Sequence, residues 1–256
     1  QIIVLAIVQG ITEFLPISSS GHLILIPAFT GWPDQGVVAD VMVHVGSLFA
    51  VIAYFWRDVL KLIGGAFDLL RLRMNDNSRM AGYIILATIP AVIFGLFLKK
   101  SGFGDNLRSV ELVAWNAVIF GILLYAADVL GPQLKKMEDM KLPPALLIGV
   151  AQALALIPGT SRSGITMTVA RLMGFERPEA ARFSFLLGIP AIAGAGAFVT
   201  LDLIESGQSI PADAIWAAAL TFLAALAAIA LLMAMVKRVS FFIFMVYRLL
   251  LALLLF

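Results

Sequence analysis

Six long apolar segments constrain the fold of this 256-residue chain more than any other feature of its sequence. The shortest has 16 residues and would extend roughly 24 Å as a helix, enough to cross a thin bilayer. Hydrophobic residues make up 61% of the chain and charged residues only 13%, a balance typical of polytopic membrane proteins. We therefore predict an all-α integral membrane protein with six transmembrane helices, at residues 40–56, 83–98, 110–130, 183–200, 214–236 and 238–255.

Two further regions, residues 1–31 and 144–178, are apolar but interrupted by Pro, Gly, Ser and charged residues. Each is too broken for one straight span and too apolar for a loop in water. Irregular backbone at membrane depth is tolerated only where protein or a water-filled cavity surrounds it. Both regions are therefore predicted to form re-entrant helical hairpins.

The basic residues of the loops predict an orientation in the membrane. Cytoplasmic loops carry an excess of Lys and Arg, and 13 such residues fall in loops 57–82, 131–143, 171–182 and 237–238. Only three fall in loops 32–39, 99–109 and 201–213, which are predicted to lie outside. The assignment requires each hairpin to return to the side from which it enters. A net charge of +2, with the basic residues beside the membrane, indicates lipid contact and no nucleic-acid partner.

The two interrupted regions are related by an internal repeat. Aligning Gln9 with Gln152, an offset of 143 residues, also aligns residues 18–21 with residues 161–164. Residues 1–130 (hairpin 1–31 plus three spans) and 131–256 (hairpin 144–178 plus three spans) then form two repeats within one membrane domain. The charge pattern gives them opposite orientations. In inverted-topology repeats, broken helices meet near the middle of the bilayer and form a site there.

Residues 158–166 (PGTSRSGIT) predict an oxyanion site inside the membrane. Pro and Gly break the preceding helix, and hydroxyl groups, closely spaced N–H groups and one guanidinium follow at a helix N-terminus. These are the donors that a phosphate group requires. The candidate substrate-binding residues are Gly159, Thr160, Ser161, Ser163, Gly164 and Thr166, with Arg162 among them. The alternative is a polar loop at the interface, with Arg162 extending to lipid headgroups.

The first hairpin contains an acidic residue in an apolar context. Gln9 and Glu13 are four residues apart and share a helix face. An unpaired buried carboxylate is costly, so Glu13 requires a divalent metal, Arg162 or a proton of its own. The alternative to a functional role is a Glu13–Arg162 ion pair that closes the interface between the repeats. Beside Glu13, Gln9 is a candidate neutral ligand for metal or substrate.

Ser18, Ser19 and Ser20 follow Pro16 and predict a second helix N-terminus, with Ser18 and Ser20 as candidate substrate-binding residues. The alternative is that one serine caps the helix and the others satisfy backbone groups. His22 lies three residues after Ser19 and can share a helix face with it. A hydroxyl, an imidazole and a carboxylate beside an oxyanion site are the parts of a phosphoryl-transfer centre. His44, the other histidine, lies in an apolar stretch after Asp40 and is interpreted as structural.

Residues 9–22 (QGITEFLPISSSGH) and 158–166 (PGTSRSGIT) resemble the bacitracin-resistance family of undecaprenyl-diphosphate phosphatases. The resemblance covers essentially the whole chain. The family motif Glu/Gln-x-x-x-Glu maps onto Gln9 and Glu13, and the Gln variant leaves one carboxylate fewer for a metal. The family's functional serine, histidine and arginine map onto Ser19, His22 and Arg162. The resemblance also implies a divalent cation, Mg²⁺ or Ca²⁺, and a site that opens to the outer face.

The resulting hypothesis is hydrolysis of the terminal phosphate of a polyprenyl diphosphate, which recycles the lipid carrier of cell-wall synthesis. Ser19 is the candidate nucleophile, with His22 as its acid–base partner. A metal-bound water that Ser19 only orients is the alternative attacker. The rival function is a polyprenyl-phosphate transporter or flippase, because inverted repeats are also a transporter architecture. The sequence leaves a homodimer open.

Overall fold

The computed structural model describes residues 1–32, 36–102, 107, 109–205 and 211–256. The regular structure of these residues is helical, with one short 3₁₀ turn at Met137–Asp139. We number the α-helices in chain order: α1 Ile2–Thr12, α2 Ser19–Thr30, α3 Gly36–Tyr54, α4 Trp56–Leu70, α5 Asp76–Ser101, α6 Val110–Leu130, α7 Leu142–Leu154, α8 Arg162–Leu172, α9 Arg177–Glu205, α10 Ala212–Met235 and α11 Phe242–Leu255.

Four of the described helices are long and apolar enough to cross a membrane, namely α5, α6, α10 and the Arg177–Ala197 part of α9. The number rises to five if the bent pair α3–α4 counts as one span. The predicted class, a multi-pass all-α membrane protein, is confirmed, whereas the count of six spans is not. Helix α11 has 14 residues, about 21 Å, which is shorter than the roughly 30 Å hydrocarbon core of a bilayer.

The segment after α3 forms a helix where the sequence analysis assigned a loop. At Phe55 the chain bends by 91° and continues as α4. Trp56, Leu60, Ile63 and Phe67 recur every three or four residues along α4 and are all exposed. An exposed apolar stripe on a helix that turns away from the spans is typical of a helix lying in the membrane interface.

Both interrupted regions form the predicted pairs of short helices, α1–α2 and α7–α8. A serine at the second helix of each pair adopts the same rare backbone conformation, with φ of 76° at Ser18 and 73° at Ser161. Each serine caps its helix by accepting a hydrogen bond from the N–H three residues later, Gly21 or Gly164. Positive φ is uncommon for residues other than glycine and is often found at functional sites. The aligned segments therefore share a local geometry as well as a sequence pattern.

The hairpins pack against helices from the other half of the chain. Helix α1 packs on α10, and α7 packs on α5. Glycines allow both close approaches: a Cβ at Gly10 would contact the carbonyl oxygen of Thr221, and one at Gly149 would overlap Ala87. The division at residue 130 and the opposite orientation of the two repeats remain predictions. Parts of the predicted outer loops 32–39, 99–109 and 201–213 lie outside the described residues.

A buried ionic cluster joins the ends of four helices. The Arg171 guanidinium is fully buried and donates to Asp128 Oδ1 at 3.0 Å and to main-chain carbonyl oxygens of the 131–132 turn. Arg177 donates to the same carboxylate oxygen at 2.6 Å. The N–H of Phe241 donates to Asp128 Oδ2 at 2.9 Å. Arg171, counted above as a loop charge, therefore belongs to the helix framework.

Candidate active site

A cavity of about 360 Å³ lies where the two hairpin turns meet α3, α5, α7 and α9. Its wall includes apolar side chains, among them Val41, Ala91 and Ile192. It also carries a dense set of polar side chains. These are Glu13, Ser18, Ser19, Ser20, Asp40, His44, Gln152, Ser161 and Arg162.

Glu13 is the centre of the polar contacts. Its Oε2 accepts a hydrogen bond from Ser19 Oγ at 2.7 Å and another from Gln9 Nε2 at 3.0 Å. Its Oε1 lies 3.2 Å from Arg162 Nη2, in an ion pair between residues 149 positions apart. The carboxylate is nearly buried, so these donors replace the water that it would otherwise bind. Of the partners considered for Glu13, the structure provides Arg162.

Arg162 is held from several sides and does not extend to a surface. Besides its contact with Glu13, its Nη1 donates to the Ser184 carbonyl oxygen at 3.1 Å. The guanidinium lies against Gly188 of α9, where a Cβ atom would overlap it. Its Nε is buried and lacks a hydrogen-bond partner among the described residues. The side chain therefore keeps one unpaired donor next to the cavity wall.

The two serine turns are joined to each other. Ser163 Oγ donates to the Leu15 carbonyl oxygen of the first hairpin at 3.0 Å. The hydroxyls of Ser18 and Ser20 are 3.3 Å apart, as are those of Ser161 and Ser163. The first N–H groups of any α-helix lack carbonyl partners within the helix. The N-termini of two helices, α2 and α8, thus lie beside one cavity. This arrangement is suited to binding an anion.

The remaining predicted residues support the turns. Thr166 Oγ1 lies 2.7 Å from the Arg162 carbonyl oxygen and 2.7 Å from Ser184 Oγ. Gly159 adopts a φ of 87°, and a side chain there would overlap Val113. Thr160 and Gly164 are buried close to Arg248, whose Nη1 donates to the Thr160 carbonyl oxygen at 3.1 Å. These four residues are not among those that line the cavity.

The structure does not bring His22 to Ser19. The His22 Nδ1 lies 2.7 Å from the Ser18 carbonyl oxygen, and its Nε2 lies 2.6 Å from the Tyr247 hydroxyl. Both ring nitrogens are therefore engaged, and the ring stacks beside Tyr247 of α11. Ser19 has Glu13 as its hydrogen-bond partner instead. The predicted hydroxyl–imidazole pair is replaced by a hydroxyl–carboxylate pair, because the His22 ring points towards α11.

His44, which the sequence analysis interpreted as structural, lines the cavity. Its Nε2 is 3.8 Å from Glu13 Oε2, and its Nδ1 lies 2.6 Å from the Asp40 carbonyl oxygen. Nothing in its apolar sequence context indicates this position. The packing of α3 against α9 brings His44 to the site.

Arg248 is a second residue whose position the sequence did not reveal. It is fully buried in α11 and donates to main-chain carbonyl oxygens of both hairpin turns: Pro16 at 3.3 Å and Gly159 at 2.7 Å. Further bonds reach the carbonyl oxygens of Asn116 and Ala117 on α6. One guanidinium thus ties both turns to the α6–α11 pair. Only the presence of a charge inside an apolar segment indicates its importance.

The donor set bears on the predicted divalent cation. Among the described residues, no three His, Cys, Asp or Glu side chains form a cluster that could hold a metal ion. Glu13 nevertheless lines the cavity. Gln9 is not among the lining residues, but it contacts Glu13, and its buried Oε1 has no hydrogen-bond partner in the described part of the chain. Mg²⁺ is commonly bound by one or two carboxylates together with substrate phosphates and water. The residues present fit a cation held in that way.

These features define a multi-pass helical membrane protein with a polar cavity between two broken helical hairpins. The chain belongs to the family of the bacitracin resistance protein BacA, whose family model matches residues 2–254.

Curated relatives cover nearly the full length of the chain. A protein of Jannaschia sp. is 51% identical over 253 residues, which are 98% of this chain and 95% of the relative. A protein of Erythrobacter litoralis is 48% identical over 97% of this chain and 95% of its own length. A protein of Roseobacter denitrificans is also 48% identical, over 100% of this chain and 96% of its own length. All three are named undecaprenyl-diphosphatase.

Proposed function

We propose that this protein is a membrane phosphatase that hydrolyses undecaprenyl diphosphate to undecaprenyl monophosphate and inorganic phosphate. Family membership and the names of the relatives support this activity. The observation that carries the proposal is the contact of Ser19 Oγ with the Glu13 carboxylate, itself paired with Arg162, in one cavity. A hydroxyl beside a proton acceptor and a guanidinium is an arrangement suited to phosphoryl transfer.

In the first step, Ser19 Oγ attacks the terminal phosphorus atom and its proton passes to Glu13. The Ser19–Glu13 distance of 2.7 Å supports this transfer. The bond between that phosphorus atom and the bridging oxygen breaks, and undecaprenyl monophosphate leaves. Glu13 then passes its proton to the leaving monophosphate oxygen. Arg162 and the N–H groups at the start of α8 stabilise the charge on the transferred phosphoryl group.

In the second step, water attacks the phosphoserine and gives its proton to Glu13, and the bond between phosphorus and Ser19 Oγ breaks. Glu13 returns that proton to Ser19 Oγ, so that inorganic phosphate leaves and the Ser19 hydroxyl is restored. The alternative is direct attack by water on the diphosphate, with Ser19 as an orienting group. His22 acts in this proposal as a positioning residue, because its Nδ1 contacts the Ser18 carbonyl oxygen and its Nε2 contacts Tyr247.

A divalent cation, Mg²⁺ or Ca²⁺, is part of the proposal. Glu13 and Gln9 Oε1 would hold it together with oxygens of the diphosphate. When bound, the ion neutralises negative charge on the substrate. The isoprenoid tail would leave the cavity along its apolar side chains, such as Val41 and Ile192.

We further propose that the protein resides in the bacterial inner membrane with its site open to the periplasmic face. The distribution of basic residues between the two sets of loops supports this orientation. No observation on the described residues favours the transporter alternative. A homodimer remains a prediction, to be checked by the mass of the protein in detergent.

The test is phosphate release from undecaprenyl diphosphate by the purified protein in detergent, with Mg²⁺ or Ca²⁺. We expect Ser19→Ala and Arg162→Ala each to lower kcat/KM by roughly 1,000-fold or more. Thr30→Ala, which removes an exposed hydroxyl from the same helix as Ser19, is the matched control and should keep full activity. Absence of release by the wild type under all these conditions would refute the phosphatase.

The attacking group has a separate test. Rapid acid quenching of wild-type turnover should trap phosphate on Ser19, detectable by peptide mass spectrometry. If Ser19→Ala retained near-normal turnover while Glu13→Ala abolished it, water and not Ser19 would be the attacker.

A further inference from the structure

Gln152 is a buried amide in the cavity wall that the proposed mechanism does not use. It is 2% exposed, lies near the end of α7 and lines the cavity beside Leu156. Neither its Oε1 nor its Nε2 has a hydrogen-bond partner among the described residues. Leaving a buried polar group without a hydrogen-bond partner costs free energy, and buried polar groups in proteins generally have a partner. The position of Gln152 therefore points to a partner that enters the cavity.

The equivalent residue of the first hairpin does not share this property. Gln9 lies 143 residues earlier, and its Nε2 donates to Glu13 Oε2 at 3.0 Å. The residue one turn after Gln152 is Leu156 and not an acid, so the second hairpin provides no carboxylate acceptor at that place. Gln152 thus retains two free N–H donors where Gln9 has one committed to a carboxylate.

A second unpartnered donor comes from the same hairpin. The Nε of Arg162 is buried without a hydrogen-bond partner in the described part of the chain, and Arg162 also lines the cavity. The two arms α7 and α8 thus each contribute to the cavity wall a residue with an unpaired N–H donor. Donors without acceptors are suited to a ligand that carries acceptors alone, and a diphosphate at neutral pH is such a ligand.

We propose that Gln152 is a substrate-binding residue whose amide donates hydrogen bonds to a phosphate oxygen of the lipid diphosphate. This inference rests on the proposed function. Gln152 carries no charge and takes no proton in the reaction. It binds the headgroup in the ground state and in the transition state alike, so its loss raises KM more than it lowers kcat.

The first experiment compares Gln152→Leu with the wild type in the phosphate-release assay. Leu has a similar volume and lacks donors. We therefore expect KM to rise about 10- to 100-fold, the change that corresponds to the loss of one hydrogen bond to a charged group. The kcat should stay within about threefold and the melting temperature should not fall, because an unpaired buried polar group has been removed. An unchanged KM, or a loss of kcat with no change in KM, would overturn the proposal.

Thr221→Val is the matched control. Thr221 is also fully buried, and its hydroxyl also lacks a partner among the described residues, but it lies on α10 and does not line the cavity. This variant removes an unpaired polar group of the same kind and should leave KM unchanged. An equal rise of KM in both variants would show that the effect comes from packing and would overturn the proposal.

A binding measurement provides a second route if Gln152→Leu does not fold. Methylene diphosphonate, which cannot be hydrolysed at its bridging carbon, should raise the melting temperature of the wild type. Gln152→Glu keeps the shape of the side chain but adds a negative charge, so this stabilisation should be lost. Equal stabilisation of both proteins would overturn the proposal.

The two hypotheses fail in different ways. A wild type that hydrolyses the lipid diphosphate while Gln152→Leu keeps a normal KM refutes the role of Gln152 and leaves the phosphatase intact. A wild type that hydrolyses nothing but is stabilised by the diphosphonate, in a manner that depends on Gln152, refutes the phosphatase and retains the binding site.

Discussion

Ser19 and Arg162 occupy equivalent positions, each directly after the serine that caps its helix, yet their side chains differ in chemistry. By the same offset of 143 residues, Glu13 of the first repeat corresponds to Leu156 of the second. The paired turns therefore hold an asymmetric set of groups, with the hydroxyl and carboxylate on one hairpin and the cation on the other. Because a buried carboxylate and a buried guanidinium stabilise each other only in contact, the site exists only when both hairpins are in place.

The position of the Arg162 guanidinium leads to a prediction at Gly188. A methyl group at residue 188 would overlap the guanidinium, so Gly188→Ala should displace it from Glu13. Misplacement of a catalytic group by about 1 Å can cost 100-fold in rate, and we expect a loss of kcat/KM on this order in the phosphate-release assay.

Gly194→Ala is the control for this substitution. Gly194 lies on the same helix, and a Cβ there would meet no atom within 4 Å. Its activity should match the wild type. Full activity of Gly188→Ala would contradict the geometry assigned to Arg162.

At the scale of the elements, the ends of α6, α8, α9 and α11 are fixed by one carboxylate. Asp128 accepts from Arg171 and Arg177 and from the N–H of Phe241. Arg171 is fully buried, so its charge depends on this partner and on the carbonyl oxygens around it. Helix α8 carries Arg162 at its other end, so the cluster also positions the cavity wall.

Asp128→Ala should destabilise the protein strongly. Removing one partner of a buried ion pair leaves an uncompensated charge and costs about 3–5 kcal/mol. The measurement is the free energy of unfolding in detergent. Glu111→Ala on the same helix α6, at an exposed position, is the control and should cost less than about 1 kcal/mol. A loss of similar size in both variants would show that Asp128 has no special role.

At the scale of the whole molecule, neither half could form the site alone. Helix α1 packs on α10 and α7 packs on α5, so each hairpin is supported by a long helix of the other half. Ser163 and Arg248 then connect the two turns through main-chain carbonyl oxygens. Irregular backbone at membrane depth requires such protein cover, because lipid offers no hydrogen bonds.

The predicted inverted topology can be tested by labelling, since the chain contains no cysteine of its own. Asn77 and Asp213 lie at the exposed starts of α5 and α10, the corresponding long helices of the two halves. Single Asn77→Cys and Asp213→Cys variants should react with a membrane-impermeant thiol reagent from opposite sides, with residue 77 cytoplasmic. Reaction from one side in both variants would contradict the inverted repeat.

The sequence predicted the members of the site better than their contacts. The repeat placed Ser19 and Arg162 in two matching polar turns, the apolar context singled out Glu13, and the structure brings Glu13 into contact with both. The sequence also suggested that His22 would pair with Ser19. This prediction is wrong, because the His22 ring contacts Tyr247, 225 residues away. His44 and Gln152 could not be identified as parts of one cavity from their apolar surroundings.

The sequence by itself determined the membrane environment, the two broken hairpins and their serine turns, because hydropathy and Pro, Gly and Ser act over a few neighbouring residues. Only the tertiary structure decided that the chain bends sharply between α3 and α4, that Arg171 and Arg248 are buried in the framework, and which group accepts the Ser19 hydrogen bond. These outcomes depend on contacts between residues tens to hundreds of positions apart. Such contacts form only when each hairpin packs against the other half of the chain.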